Sequence, residues 1–93
     1  MSFTFDYDSD KAKRNLLKHG IDFEEAKTVF YDDYARIKAD PEHSVNENRF
    51  IILGFSLKNR LLVISFTERE NVIRIINARK PTKKERIKYE EYL

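Results

Sequence analysis

The sequence predicts an α+β fold, in which a small antiparallel sheet of about four strands is joined by two short N-terminal helices and one C-terminal helix. Apolar runs with short polar connections fill the middle of the chain, and helix-start signals lie near both ends. Aromatic residues, which are enriched in strands, make up 13% of the 93 residues. This length suits one domain over residues 1–93.

Two helices are expected after the short apolar segment at residues 3–5. Residues 9–18 are mostly good helix formers, and Gly20 is placed to end that helix in a left-handed conformation. Asp22 then suits an N-cap with Glu25 as its capping-box partner, and the apolar spacing extends this second helix to about Tyr31.

A meander of strands is predicted next. Residues 34–39 alternate weakly and form a candidate strand, whereas the runs at 50–55, 61–66 and 72–78 are strongly apolar and joined by short polar segments. Pro81 ends the sheet, and Thr82 with Glu85 forms a capping box for a helix reaching towards Leu93. We expect the helices on one sheet face and the other face open.

Several functional classes are excluded by composition. The chain has no cysteine, which rules out disulfides, zinc-thiolate sites and thiol nucleophiles and fits a reducing cytoplasm. It has no glycine-rich phosphate loop, and its acidic residues match no calcium loop, so we expect neither a cofactor nor a metal. No secretory signal or membrane span is recognisable, so a cytoplasmic protein is expected.

Charge is distributed unevenly along the chain. Residues 1–47 carry seven Lys/Arg and eleven Asp/Glu, a balance of −4, whereas residues 48–93 carry eleven and five, a balance of +6. A basic second half favours a polyanionic partner.

Three arginines are candidates for binding a phosphate. Arg69 should share one strand face with Ser65 and Thr67, whereas the spacing of five between Arg74 and Arg79 places them on opposite faces unless a bulge intervenes. Guanidinium groups bind phosphate bidentately and stabilise charge that develops during its transfer. The alternative is that they are solvated or ion-paired surface residues.

The two histidines, His19 and His43, are candidates for proton transfer, because imidazole titrates near neutrality. His19 precedes the helix-ending glycine and His43 lies in an acidic loop, so a structural role for each remains the alternative. The terminal helix interleaves basic residues with Ile87 and Tyr89, which suits either RNA contact or an ordinary amphipathic helix.

A set of motifs runs in a characteristic order along nearly the whole chain. They are Asp6, Lys11-Ala12, Asn15, Lys18-His19-Gly20, Phe23-Glu24-Glu25-Ala26, Val29-Phe30, Arg49, Leu62-Val63-Ile64, Thr67, Arg69, Arg74-Ile75-Ile76-Asn77-Ala78-Arg79, Glu85-Arg86 and Tyr89. Together these motifs resemble the BrnT family of ribonuclease toxins from bacterial type II toxin–antitoxin systems.

The resemblance implies a fold related to RelE-like ribonucleases and metal-independent RNA cleavage that inhibits translation. It also implies a BrnA-type antitoxin that neutralises the toxin, a heterotetramer of the two proteins, and contact with operator DNA only through the antitoxin. A non-catalytic module that binds an antitoxin is the alternative function, and direct DNA binding by the terminal helix is a third.

As a hypothesis on this resemblance, a ribose 2′-hydroxyl attacks the adjacent phosphate. Arg69, Arg74 and Arg79 would bind that phosphate, with His19 as the acid or base and Glu68 and Glu85 in reserve. The residues expected to contact RNA elsewhere are Arg49, Lys80, Lys83, Lys84, Arg86 and Tyr89.

Overall fold

The computed structural model describes residues 3–91. Within that range the elements follow a β-α-α-β-β-β-β-α order. They are β1 (Thr4–Tyr7), α1 (Ser9–His19), α2 (Phe23–Thr28), β2 (Arg36–Ala39), β3 (Arg49–Phe55), β4 (Leu61–Arg69), β5 (Val72–Arg79) and α3 (Lys83–Glu90), with short 3-10 turns at Val29–Tyr31 and Pro41–His43. The α+β class is therefore confirmed.

The sheet has five strands in the order β1-β5-β4-β3-β2. Strands β2 to β5 form the predicted antiparallel meander, but β1 adds a strand parallel to β5, with Thr4 opposite Val72 and Tyr7 opposite Ile75. The expected sheet of about four antiparallel strands was thus incomplete. A four-residue strand that pairs with a segment so distant in sequence has no local turn to reveal it.

Local signals set the helix ends. Asp8 caps α1 by accepting hydrogen bonds from two backbone N–H groups, and Gly20 ends it at a φ of 69°. Asp22 caps α2, but the α-helix stops at Thr28 and continues as the 3-10 turn. The predicted role of the Glu25 side chain in a capping box was wrong, because that carboxylate binds Ser56 and Arg60 instead. The Thr82/Glu85 capping box is present, and the predicted end of α3 at Leu93 lies outside the described residues.

Both faces of the sheet carry helices. The larger core packs Phe23 and Ala26 of α2 against Ile64 and Ile75. On the opposite face, Tyr89 of α3 packs with a smaller cluster formed by Leu53, Leu61 and Val63. The expectation of helices on a single face was therefore wrong, because Tyr89 covers the apolar end of the second face and leaves only the remainder open. Within residues 3–91, no helix is long and apolar enough to cross a membrane.

A β-bulge interrupts β5 beside β4. Ser65 is opposite Asn77, but its neighbour Phe66 is opposite Ile75, so Ile76 is an extra residue in the ladder. Because partners across a ladder share a face, the bulge places Arg74, Asn77 and Arg79 on the same face as α3. Arg74 and Arg79 are five residues apart, and such a bulge was the condition for them to lie on the same face.

Candidate active site

A cleft of about 920 Å³ lies over the part of the second sheet face that α3 leaves open. Its floor contains Ile51, Ser65 and Asn77 from three neighbouring strands. The other lining residues come from α1, from the end of β2 and the segment after it, and from the ends of β3, β5 and α3. They are Lys11, Arg14, Asn15, Lys18, His19, Lys38, Ala39, Asp40, Pro41, Glu42, His43, Arg49, Arg79 and Glu85.

The lining of this cleft is basic. Among the described residues it includes six Lys or Arg, three Asp or Glu, and two His. An excess of cations in a concave site raises the local concentration of an anionic substrate and suits a phosphodiester chain.

His19 reaches the cleft from the last position of α1 and is half-buried. Its position is set by Asn15, which lies one helical turn earlier and is only 6% exposed. The Asn15 amide nitrogen donates to the carbonyls of Ile21 and Ala78, both at 2.9 Å, and its oxygen accepts from the N–H of Ala78 at 3.0 Å. Asn15 therefore links the helix that carries His19 to the residue that precedes Arg79.

His43 lines the same cleft. Its Nδ1 lies 2.9 Å from a carboxylate oxygen of Asp40, on the side of the cleft formed by the 3-10 turn after β2. A carboxylate beside one ring nitrogen fixes the orientation of the imidazole and leaves the other nitrogen available. The fold thus brings both histidines to one site, which neither residue's local sequence indicates.

Arg79 and Glu85 form a paired unit at the edge of the cleft. The Arg79 guanidinium donates to both carboxylate oxygens of Glu85, at 2.8 and 3.0 Å, and the same carboxylate accepts from the backbone N–H of Thr82 at 2.8 Å. The bond from Arg79 is the main reason that the pKa of Glu85 falls to about 2. Glu85 is consequently ionised at neutral pH and suits orienting Arg79 rather than transferring a proton.

Arg69 and Arg74 lie apart from this cleft. They line a separate depression of about 540 Å³ with Asp6, Glu47 and Thr67. Arg74 pairs with Asp6, and the Arg69 side chain is 79% exposed with its guanidinium 3.5 Å from Glu47. The structure therefore does not bring the three predicted arginines into one cluster, although they share one face of the sheet. Glu68 is exposed and lines a third, mainly apolar depression.

The residues expected to contact RNA outside the catalytic centre occupy different environments. Arg49 lines the cleft. Lys80, which precedes α3, is exposed, and so are Lys83, Lys84 and Arg86 in the first half of that helix.

Tyr89 is only 2% exposed, and its hydroxyl donates to Asp32 at 2.7 Å. Burial and then this bond raise the pKa of Tyr89. Its predicted contact with RNA conflicts with this packing, because the ring has no free face on which a base can stack.

Some lining residues were missed from the sequence, above all Lys11, Arg14 and Lys18. Their helical spacing of three and four places them on one face of α1, and this periodicity was a usable signal. Asn77 had no such signal, since its orientation depends on the bulge. No group of three or more His, Asp or Glu residues in the described chain is arranged to hold a metal ion.

Comparison with known proteins agrees with this architecture. The fold resembles the 1.1 Å crystal structure of the Brucella abortus ribonuclease toxin BrnT, with a TM-score of 0.68 and 16% sequence identity over 88% of this chain and 100% of that one. No curated protein sequence matches the chain. The family model for BrnT, the ribonuclease toxin of a type II toxin–antitoxin system, matches residues 7–85. The chain therefore belongs to the BrnT family of ribonuclease toxins.

Proposed function

We propose that this chain is a metal-independent endoribonuclease whose active site is the basic cleft, and that its RNA cleavage inhibits translation. The observation that carries the proposal is the joint presence of His19, His43 and Arg79 in one cleft with an excess of basic residues. Two imidazoles and a guanidinium supply a base, an acid and an anion-binding group, which are the parts needed to cleave RNA without a metal.

In the proposed reaction the ribose 2′-oxygen forms a bond to the adjacent phosphorus, and the bond from phosphorus to the 5′-oxygen of the next nucleotide breaks. One imidazole takes the proton of the 2′-hydroxyl while the other gives a proton to the departing 5′-oxygen, so that a 2′,3′-cyclic phosphate and a 5′-hydroxyl are formed. His19 is the leading candidate for the base. Arg79, oriented by Glu85, and Arg49 stabilise the charge on the phosphate.

The test is incubation of purified protein with RNA in EDTA. The parent should cleave, and His19→Ala or Arg79→Lys should each lower the rate by about 10²-fold, since they remove a proton-transfer group or a bidentate contact to the reacting phosphate. Arg69→Ala is the matched comparison, because Arg69 lies on the same sheet face outside the cleft. It should change the rate only a few fold.

Two other outcomes would contradict this proposal. An equally large loss in Arg69→Ala would move the site to the depression that contains Arg69 and Arg74. No cleavage by a folded parent, with or without ribosomes, would favour the non-catalytic module that binds an antitoxin.

Membership of a type II toxin family supports an antitoxin as partner. We propose a BrnA-type antitoxin that neutralises the toxin in the cytoplasm, forms a heterotetramer with it, and supplies the contact with operator DNA. Co-expression should relieve the growth arrest caused by this chain, and the purified complex should have the mass of two copies of each protein. Operator binding by this chain alone would contradict the assignment of DNA contact to the antitoxin.

A further inference from the structure

The floor of the cleft is a row of three residues on adjacent strands. Ile51 is opposite Ser65, and Ser65 is opposite Asn77. With strands about 4.8 Å apart, the row is about 10 Å wide, which is enough for the flat face of a nucleobase. It offers one apolar side chain, one hydroxyl and one carboxamide.

Asn77 is in this row because of the bulge. Ile73 and Ile75 face the main core, and regular alternation would turn residue 77 to that core as well. The extra residue, Ile76, reverses the alternation, so that Ala78 fills the core and Asn77 faces the cleft. Bulges near active sites commonly reorient a side chain in this way.

The Asn77 carboxamide is available to a ligand. Asn77 is exposed, and among residues 3–91 no group forms a hydrogen bond with its side chain. Arg79 lies two residues further along β5 on the same face, about 6.8 Å away along the strand. If Arg79 contacts a phosphate, Asn77 therefore lies within one nucleotide's length of it.

We infer that Asn77 determines substrate preference by contacting the edge of a nucleobase next to the scissile phosphate, with Ile51 below the base and Ser65 as a second polar contact. This inference rests on the proposed ribonuclease function. Single-stranded RNA exposes the Watson–Crick edges of its bases. A carboxamide presents an NH₂ donor group beside a carbonyl acceptor, so it pairs with an edge on which an acceptor lies beside a donor.

Replacing the carboxamide with a carboxylate gives a directional test. A carboxylate only accepts hydrogen bonds, and guanine presents two adjacent N–H donors on its Watson–Crick edge. Cleavage sites are mapped on RNA of random sequence. Asn77→Asp should raise the relative frequency of guanine next to the cleaved phosphate by about fivefold or more. An unchanged distribution of cleaved sequences would overturn the inference.

Asn59→Asp is the control, because it introduces the same charge at an exposed turn outside the cleft. Asn59 has a φ of 62°, which aspartate also tolerates. Its cleavage distribution should match that of the parent, and a shift equal to that of Asn77→Asp would assign the change to net charge and refute base contact.

A binding assay separates failure of this inference from failure of the proposed function. The probes are four uncleavable 2′-O-methyl nonamers that are identical except at the central base, which is A, C, G or U; all other bases are uracil. Affinity is measured by fluorescence anisotropy. Asn77→Asp should raise the affinity for the guanine probe relative to the other three by about fivefold, even if the parent never cleaves RNA. Equal affinity ratios in parent and variant would refute base contact, whereas absent cleavage with a changed ratio would refute only catalysis.

Discussion

Replacing Glu85 with Gln should destabilise the protein in a pH-dependent manner. The Glu85 carboxylate accepts two hydrogen bonds from Arg79 and one from the backbone N–H of Thr82. Glutamine preserves the shape of the side chain and one acceptor oxygen but removes the charge. The variant therefore isolates the ionic part of this interaction from the helix cap.

The magnitude follows from the two protonation equilibria. The pKa of the Glu85 carboxyl is about 2 in the folded chain against an ordinary value of 4.5, which corresponds to about 3.4 kcal/mol at neutral pH. Arg79 is 37% exposed, and solvent screening reduces this figure to about 1.5 kcal/mol. A lowered pKa stabilises the fold above pH 4.5, and this stability is lost as pH falls from there towards 2.

Urea denaturation followed by far-UV circular dichroism measures this difference. At pH 7 the free energy of unfolding of Glu85→Gln should be about 1.5 kcal/mol below that of the parent, and at pH 3 only about 0.5 kcal/mol below. Glu90→Gln, an exposed position on the same helix, should stay within about 0.5 kcal/mol of the parent at pH 7. A Glu85→Gln penalty of equal size at both pH values would refute the ionic reasoning.

Three further variants test the parts of the fold that position the cleft. Asn15→Ala should lower the free energy of unfolding by about 2–4 kcal/mol, because it leaves the buried polar groups of Ala78 without their partner; a loss below 1 kcal/mol in denaturant would contradict this. Tyr89→Phe should cost about 1 kcal/mol and leave RNA affinity unchanged in filter binding, since the hydroxyl binds Asp32; a marked loss of affinity would restore its RNA contact. Gly20→Ala should lower stability by about 1 kcal/mol in thermal unfolding, through its φ of 69° alone, because an added Cβ would meet no atom within 4 Å beyond its immediate surroundings in the chain; no change would show that this strain is relieved.

Elements with a local signal were predictable from the sequence. The meander was predicted because apolar runs alternate with short polar connections, and the left-handed Gly20 and the Thr82/Glu85 capping box were predicted because their signals span only a few residues. Such patterns act through neighbouring backbone groups and need no knowledge of the remaining chain.

Non-local contacts were not predictable in the same way. Glu25 has the spacing of a capping-box residue, but its buried carboxylate binds Arg60, which is 35 residues away in sequence. That bond is the main cause of the lowered pKa of Glu25. Tyr89 similarly suits either a solvent-exposed or a buried helix face, and only the packing of α3 on β3 decides between the two. Tertiary partners override the local pattern in both cases.

The candidate site is formed where the sheet departs from regular pairing. The pairing of β1 with β5 ends at Tyr7 and Ile75, and beyond this point the Asn15 carboxamide takes the place of an edge strand by binding both the N–H and the C=O of Ala78. The bulge lies at the same point and turns the next residues of β5 to the opposite face. The bonds between Asn15 and Ala78 bring α1, which carries His19, against β5. The bulge turns Arg79 towards them. Neither feature follows the two-residue period of a strand, so a sequence pattern that identifies β5 correctly still misplaces the residues proposed to act on RNA.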